Sequence, residues 1–148
     1  MHPINVTFAT TADLSWLTAR DRHISAETLA KKAENGEILI AREVDTSVGW
    51  LRYSLFWDQC PFINMLVVLE SHRGAGIGTK LVTFFENEMH RRGFTRIMTS
   101  SLANEQGQRF FRRRGYTDCG CLLLPHEPLE ILFRKELLAP AAVLPPAS

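Results

Sequence analysis

The stretch His72-Arg73-Gly74-Ala75-Gly76-Ile77-Gly78-Thr79 sets three glycines and an arginine between an apolar run and an amphipathic one. Residues of these types at this spacing suit a turn that receives a diphosphate. A helix start leaves several backbone N–H groups without partners and carries partial positive charge. Glycine brings such a turn close to an anion, because no Cβ stands in the way. Upstream, Ile63-Asn64-Met65-Leu66-Val67-Val68-Leu69 reads as a buried strand. Downstream, Ile77, Leu81, Phe84, Phe85 and Met89 recur at helical spacing, Arg91 and Arg92 occupy the last turn, and Gly93 is a stop signal.

Two familiar phosphate loops do not fit. A Walker loop needs Lys directly after its last glycine, but Thr79 separates Gly78 from Lys80. A dinucleotide fingerprint needs a third glycine where Thr79 stands, and it usually follows the first strand of a domain rather than a mid-chain one. The run does match Arg-x-x-Gly-x-Gly through Arg73, Gly76 and Gly78. It resembles the acyl-coenzyme A loop of the GCN5-related N-acetyltransferases, the GNAT superfamily. A second motif agrees: Asn104, then Phe111, then the Gly115-Tyr116 pair, as in that family. The competing reading of residues 72–79 is a tight glycine turn without a ligand.

The resemblance implies acetyl-CoA as cosubstrate and direct acetyl transfer to a primary amine of a small molecule or peptide. It assigns cofactor binding to Leu66, Val67, Val68, Arg73, Gly74, Ala75, Gly76, Ile77, Gly78, Thr79, Asn104 and Phe111. It assigns to the backbone N–H near Val68 the polarising of the thioester carbonyl, and to Arg73 the shaping of the loop or a phosphate contact. The chain departs from the family at two places. Phe111 stands where a tyrosine often protonates the departing thiolate, leaving water, Tyr53, Ser100 or Ser101 as substitutes. A thiol titrates near ~8.5, so a thiolate is a tolerable leaving group. Phe62 stands where histone-type members carry a glutamate base, and Asn64 cannot act as one. Candidate bases are Asp58, Glu127, Glu130 and His23, while Glu70 reads as part of the turn into the loop.

The acceptor side is expected to include His23, Trp57, Asp58 and Phe62, giving apolar walls with negative charge. Asp21, Glu127 and Glu130 offer further acidic contacts. The alternative to an active enzyme is a non-catalytic acyl-CoA sensor that kept the loop and lost its acid–base groups.

The elements that must position these groups run in a definite order. Ile4 to Ala9 reads as a strand, and Thr10 with Asp13 as a capping box opening a helix to about Arg22. Ser25 caps a second helix ending at Asn35-Gly36. Glu37 to Val44 and Val48 to Trp57 pair around Asp45-Thr46-Ser47, and Phe62 to Leu69 follows as the fourth strand. After the helix Gly76 to Arg92 come a strand Thr95 to Ser101 and a helix from Glu105 to Arg114. Tyr116 to Leu124 and Leu129 to Glu136 are the last strands, joined by Pro125-His126-Glu127-Pro128. This is the GNAT order, an α/β (α+β) class with a mixed, mostly antiparallel sheet of about seven strands and four helices.

With 148 residues the chain is long enough for one domain and a sizeable core, assigned to residues 1–137. The Pro/Ala-rich tail 138–148 reads as disordered. A hydrophobic content of 45% and a net charge of +1 give no reason to expect nucleic acid or a membrane as partner. The arginines at 109, 112, 113 and 114 read as a solvated face, and the resemblance implies that one or two of them reach the 3′-phosphate of coenzyme A. No apolar run approaches the ~20 residues that span a bilayer. Cys60, Cys119 and Cys121 match no zinc spacing, so no metal is expected, and Cys119 and Cys121 read as small core residues in a reducing cytoplasm. A homodimer through edge strands is compatible with this reading.

Overall fold

The computed structural model describes residues 2–137, so the tail 138–148 lies outside the described residues. Seven strands form one sheet in the order β1-β2-β3-β4-β5-β7-β6. They are β1 (Ile4–Phe8), β2 (Ile38–Glu43), β3 (Thr46–Phe56), β4 (Cys60–Val68), β5 (Arg96–Leu102), β6 (Thr117–Leu122) and β7 (Glu130–Glu136). The helices are α1 (Leu14–Arg20), α2 (Ala26–Glu34), α3 (Ile77–Arg91) and α4 (Gly107–Arg113). Neighbouring strands are antiparallel except β4 and β5, which run parallel. The fold is therefore the mixed α/β arrangement that the sequence pattern predicts. No helix among the described residues is long and apolar enough to cross a membrane.

The middle of the sheet is buried on both faces, which explains the unbroken apolar run at Ile38-Leu39-Ile40-Ala41. Leu39 and Ala41 pack with Leu51, Leu81, Phe85, Met89 and Phe133 on the α3 side. Ile38 and Ile40 pack with Leu17, Leu29 and Trp50 under α1 and α2. Gly49 lets β3 pass close to β4: a Cβ there would stand 2.8 Å from the Val67 carbonyl oxygen.

The capping box forms as the sequence predicts, with Thr10 and Asp13 exchanging side-chain and backbone bonds. It opens a short 3-10 turn rather than the helix itself, and α1 ends at Arg20, two residues early, because Asp21 leaves the helical conformation. The β2–β3 turn is also tighter than expected. Val44 and Asp45 make it, Val44 at φ 56°, and Thr46 and Ser47 belong to β3.

One correction concerns the cysteines. Cys119 and Cys121 are exposed, since β6 is the outer strand of the sheet and all six of its residues are exposed. Their alternation marks a strand but not a covered face.

Candidate active site

The site begins with a defect in the sheet. β4 and β5 pair only through Phe62 with Met98 and Ile63 with Thr99. One residue later β4 carries a bulge: Arg52 pairs with Met65 and Tyr53 with Ile63, so Asn64 is extra. A bulge bends its strand and raises its twist. Beyond it the two strands part, β4 staying with β3 to Val68 and β5 staying with β7 to Leu102. The gap is a cleft of about 660 Å³ whose walls include Asn64, Leu66, Val68, Ser100, Leu102 and Phe111.

The bare edge of β4 supplies this cleft with backbone donors. Leu69 gives its N–H to the Val48 carbonyl oxygen on the β3 side at 2.8 Å. Strand alternation then turns the N–H groups of Val68 and Leu66 the other way, towards the cleft. Arg73 closes the end of this edge, its Nε donating to the Val68 carbonyl oxygen at 3.0 Å.

The glycine-rich loop sits just beyond. Gly74 and Gly76 hold φ of 78° and 80°, the left-handed region that glycine adopts without cost. Gly76 precedes α3, and no side chain caps that helix start. Its first N–H groups therefore remain available, facing a cavity of about 390 Å³ lined by His72, Arg73, Gly74, Gly76, Gly78 and Thr79. Gly78 lies against the ring of Phe110, 3.3 Å from where a Cβ would stand.

Next to this lies a basic cavity of about 510 Å³ lined by Thr79, Gln106, Arg109, Phe110, Arg113 and Arg114. Arg114 stacks on Phe110 with its guanidinium carbon 3.5 Å from the ring centroid, and it bonds the Phe110 carbonyl and the Thr79 hydroxyl. Burial, then the neighbouring Arg113 charge, push its pKa below the ordinary arginine value. Its Nε is buried without a partner among the described residues. The three spaces share walls: Val68, Arg73 and Gly78 belong to the first two, Thr79 and Arg114 to the last two, and Phe110 to all.

Many residues singled out in the sequence meet here. Leu66, Val68, Arg73, Gly78 and Phe111 line the main cleft, and Gly74, Gly76, Ile77 and Thr79 line the loop cavity. Phe111 is also a core aromatic, packed edge-on against Tyr116 and Phe110. Val67 turns its side chain to the α1–α2 core, and Ala75 and Asn104 are absent from the lining of all three spaces.

The acceptor side differs more from expectation. His23 lines the cleft, and so does Glu130. Trp57 and Asp58 stand in the β3–β4 turn at φ of 54° and 59°, at the end of β4 opposite the parting, and neither lines the cleft. Phe62 lies at the paired base of β4 and β5, 5.9 Å from Phe56 by ring centroid, and is not in the lining either. Glu127 is exposed in the β6–β7 turn, away from the lining. Asp21 is 1% exposed and bound to Arg52, so it is not free to meet an acceptor. Tyr53 is committed elsewhere: its hydroxyl bonds the Gly36 carbonyl and accepts from Arg92. Ser100 and Ser101 do line the cleft. Sequence reasoning passed over Glu105, Met65 and Gly107 in the same lining. The reason for Gly107 is spatial and has no sequence signal: a Cβ there would stand 2.8 Å from the Ser101 hydroxyl.

A sheet parted between two parallel strands, beside a glycine-rich helix start, defines a fold built around a coenzyme-sized cleft. The profile of the acetyltransferase (GNAT) family matches residues 7–116, and the chain belongs to that family. It is an acetyltransferase of the acyltransferase class. A GNAT-family acetyltransferase structure from Bacillus cereus ATCC 10987 superposes with a TM-score of 0.76 at 23% identity, covering 93% of this chain and 99% of that one. The protein yncA from Salmonella typhimurium, solved with its cofactor acetyl-CoA, gives 0.75 at 17%, covering 94% and 96%. The ribosomal-protein-alanine N-acetyltransferase of Brucella melitensis gives 0.77 at 20%, covering 90% and 99%. No curated protein sequence matches the chain significantly.

Proposed function

We propose that the protein moves an acetyl group from acetyl-CoA directly to a primary amine of a small molecule or peptide. The observation that carries this reading is the bare β4 edge at Leu66 and Val68 leading to the uncapped start of α3. The residues fit the coenzyme. Two cavities rich in N–H donors and arginine suit its phosphates, and the orphaned Arg114 Nε offers an unused donor beside them. Leu66 and Val68 would hold the pantetheine arm as an added strand.

Acetyl-CoA supplies the thioester-bound acetyl group. The Val68 N–H stabilises the negative charge that develops on its carbonyl oxygen. Asn64, Met65, His23 and Glu130 line the cleft, and this reading assigns them to the acceptor. An ammonium must lose a proton before it attacks. Of the acid–base groups in the lining, His23, Glu105 and Glu130, this reading gives the task to His23 or Glu130, directly or through water. Phe111 has no proton to give, so the sulfur leaves as thiolate or with a proton from water or Ser100. Neighbouring structures named for a ribosomal-protein alanine and for N-acetylglutamate are consistent with an amine acceptor.

The same reading includes a homodimer through β6, whose unpaired edge continues into the exposed Leu122, Leu123 and Leu124. A monomer mass by light scattering at micromolar concentration overturns that part.

The test is acetyl-CoA turnover against small amines, polyamines, aminoglycosides and peptides, with product read by mass spectrometry. Acetylated product from one amine class establishes the reaction. Binding of acetyl-CoA without product supports the sensor alternative. Tight binding retained in Gly76→Trp overturns the loop assignment.

A further inference from the structure

The ion pair between Asp21 and Arg52 stands apart from the others. Its side chains are 6% and 0% exposed, the least of any ion pair among the described residues. Arg52 Nε donates to Asp21 Oδ2 at 2.8 Å and its Nη2 to Oδ1 at 3.3 Å. Trp50 Nε1 adds a third bond to Oδ2 at 3.3 Å, and the His23 backbone N–H a fourth to Oδ1 at 3.4 Å. Around them Leu17, Leu29, Ile40 and Trp50 form an apolar core that needs no charge. Taking two charges out of water is costly, and apolar residues of similar volume in their place are often neutral or stabilising. Stability alone therefore gives no reason for the pair.

Its position gives one. Asp21 ends α1 and begins the loop to α2, two residues before His23. Arg52 pairs with Met65 at the register shift where Asn64 bulges. His23, Asn64 and Met65 all line the cleft. The pair thus joins two backbone irregularities that carry lining residues of the cleft, one a loop with His23 and one a strand bulge with Asn64 and Met65.

We infer that Asp21 and Arg52 are positioning residues for the acceptor: they lock the α1–α2 loop to the β4 bulge and so hold His23 at the mouth where the amine approaches. This rests on the acetyl-transfer reading for its catalytic consequence, but the geometric part stands apart from it. Small displacements of a positioning group are costly in rate, roughly 10- to 100-fold for about 1 Å.

The test uses the full chain with Asp21→Leu/Arg52→Met, which removes both charges together and leaves neither buried alone. With coenzyme A bound, amide hydrogen exchange at residues 22–25 is expected to speed up about tenfold or more, with α3 and β2 unchanged. Unchanged exchange in the loop overturns the inference. In turnover, using the amine identified in the acceptor panel, the expected result is a fall of at least about tenfold in kcat/KM for the amine. The Kd for coenzyme A stays within about twofold of wild type, because neither residue touches the coenzyme cavities. A variant that folds and keeps full amine efficiency overturns the inference. His23→Ala, exposed and outside the pair, keeps the question decidable if the double variant is unstable: it must lower amine efficiency, and no effect overturns the inference. In the triple variant the losses must not multiply, since both changes act through one group. If wild type acetylates no amine, the functional reading fails while hydrogen exchange still decides the loop.

Discussion

Arg73 Nε donates to the Val68 carbonyl oxygen at 3.0 Å, so the arginine of the glycine-rich loop is bound to the last residue of β4. The same strand end presents the Val68 N–H to the cleft. This bond ties the loop to the strand end, so the arginine acts by shape as much as by charge. A hydrogen bond from a charged donor contributes about 1.5–3 kcal/mol, so Arg73→Ala should raise the Kd for coenzyme A roughly 10- to 100-fold. Arg73→Lys should recover little, because a point charge does not reproduce a fixed guanidinium donor. Isothermal titration decides it; wild-type affinity in Arg73→Ala would show that the loop holds its form without the bond.

The basic cavity makes a separate claim. Arg109 and Arg113 line it without an ion-pair partner among the described residues, whereas Arg112 is paired with Asp118 at 2.8 Å. Arg109→Ala and Arg113→Ala should each weaken coenzyme A about 3- to 10-fold, the scale of one partly exposed charge contact. Both should leave 3′-dephospho-coenzyme A unchanged, and Arg112→Ala should leave both ligands unchanged. Equal losses for the two ligands would place these arginines away from the 3′-phosphate.

The limits of the sequence follow from what is local and what is not. The loop at residues 72–79 was readable because glycine spacing and helix periodicity are properties of neighbours along the chain. The bulge at Asn64 was not, because it exists only in the register between β3 and β4. Trp57 and Asp58 have the apolar and acidic character that suits an amine, and the family resemblance puts their connection on the acceptor side, but a strand does not announce which of its ends parts from the next. Asp21 reads in the sequence as a free acidic contact, but Arg52, 31 residues on, occupies it in the fold. Cys119 and Cys121 alternate like core residues, yet only the strand order reveals that β6 is paired with β7 alone and is open on its other side.

Glu88 ties down the end of α3, accepting from Arg91 Nε at 3.1 Å and Arg92 Nε at 3.2 Å. The Arg91 hydrogen bond, ahead of the charge attraction, holds its carboxyl below the ordinary glutamate value. A depressed folded pKa gives stability that is present above the unfolded value and lost as pH falls through the folded one. With an unfolded value near ~4.3, the contribution is complete at neutral pH and fades below about pH 4. Glu88→Gln should therefore lower Tm by about 1–4 °C at pH 7, the scale of a surface ion pair of ~0.5–1 kcal/mol. The two melting curves should converge near pH 3. A constant difference across that range would mean that the glutamine disturbs packing and that the ionised carboxylate contributes nothing.

The three thiols should react at two rates. Cys119 and Cys121 are exposed on β6, while Cys60 is half-buried at the start of β4 with its sulfur 3.6 Å from the Arg96 carbonyl oxygen. Burial pushes both the Cys60 and the Cys119 thiols above the ordinary value, which slows each at neutral pH because the thiolate is the nucleophile. Access then separates them: N-ethylmaleimide at pH 7 should add twice quickly and a third time slowly by intact mass, and all three rates should merge in denaturant. Because β6 does not line the cleft, the doubly modified protein should bind coenzyme A as wild type does. Only one rapid adduct would contradict the exposure of β6 at the open edge of the sheet, and three together would contradict the half-burial of Cys60. Loss of coenzyme binding after two adducts would contradict the boundary drawn around the cleft.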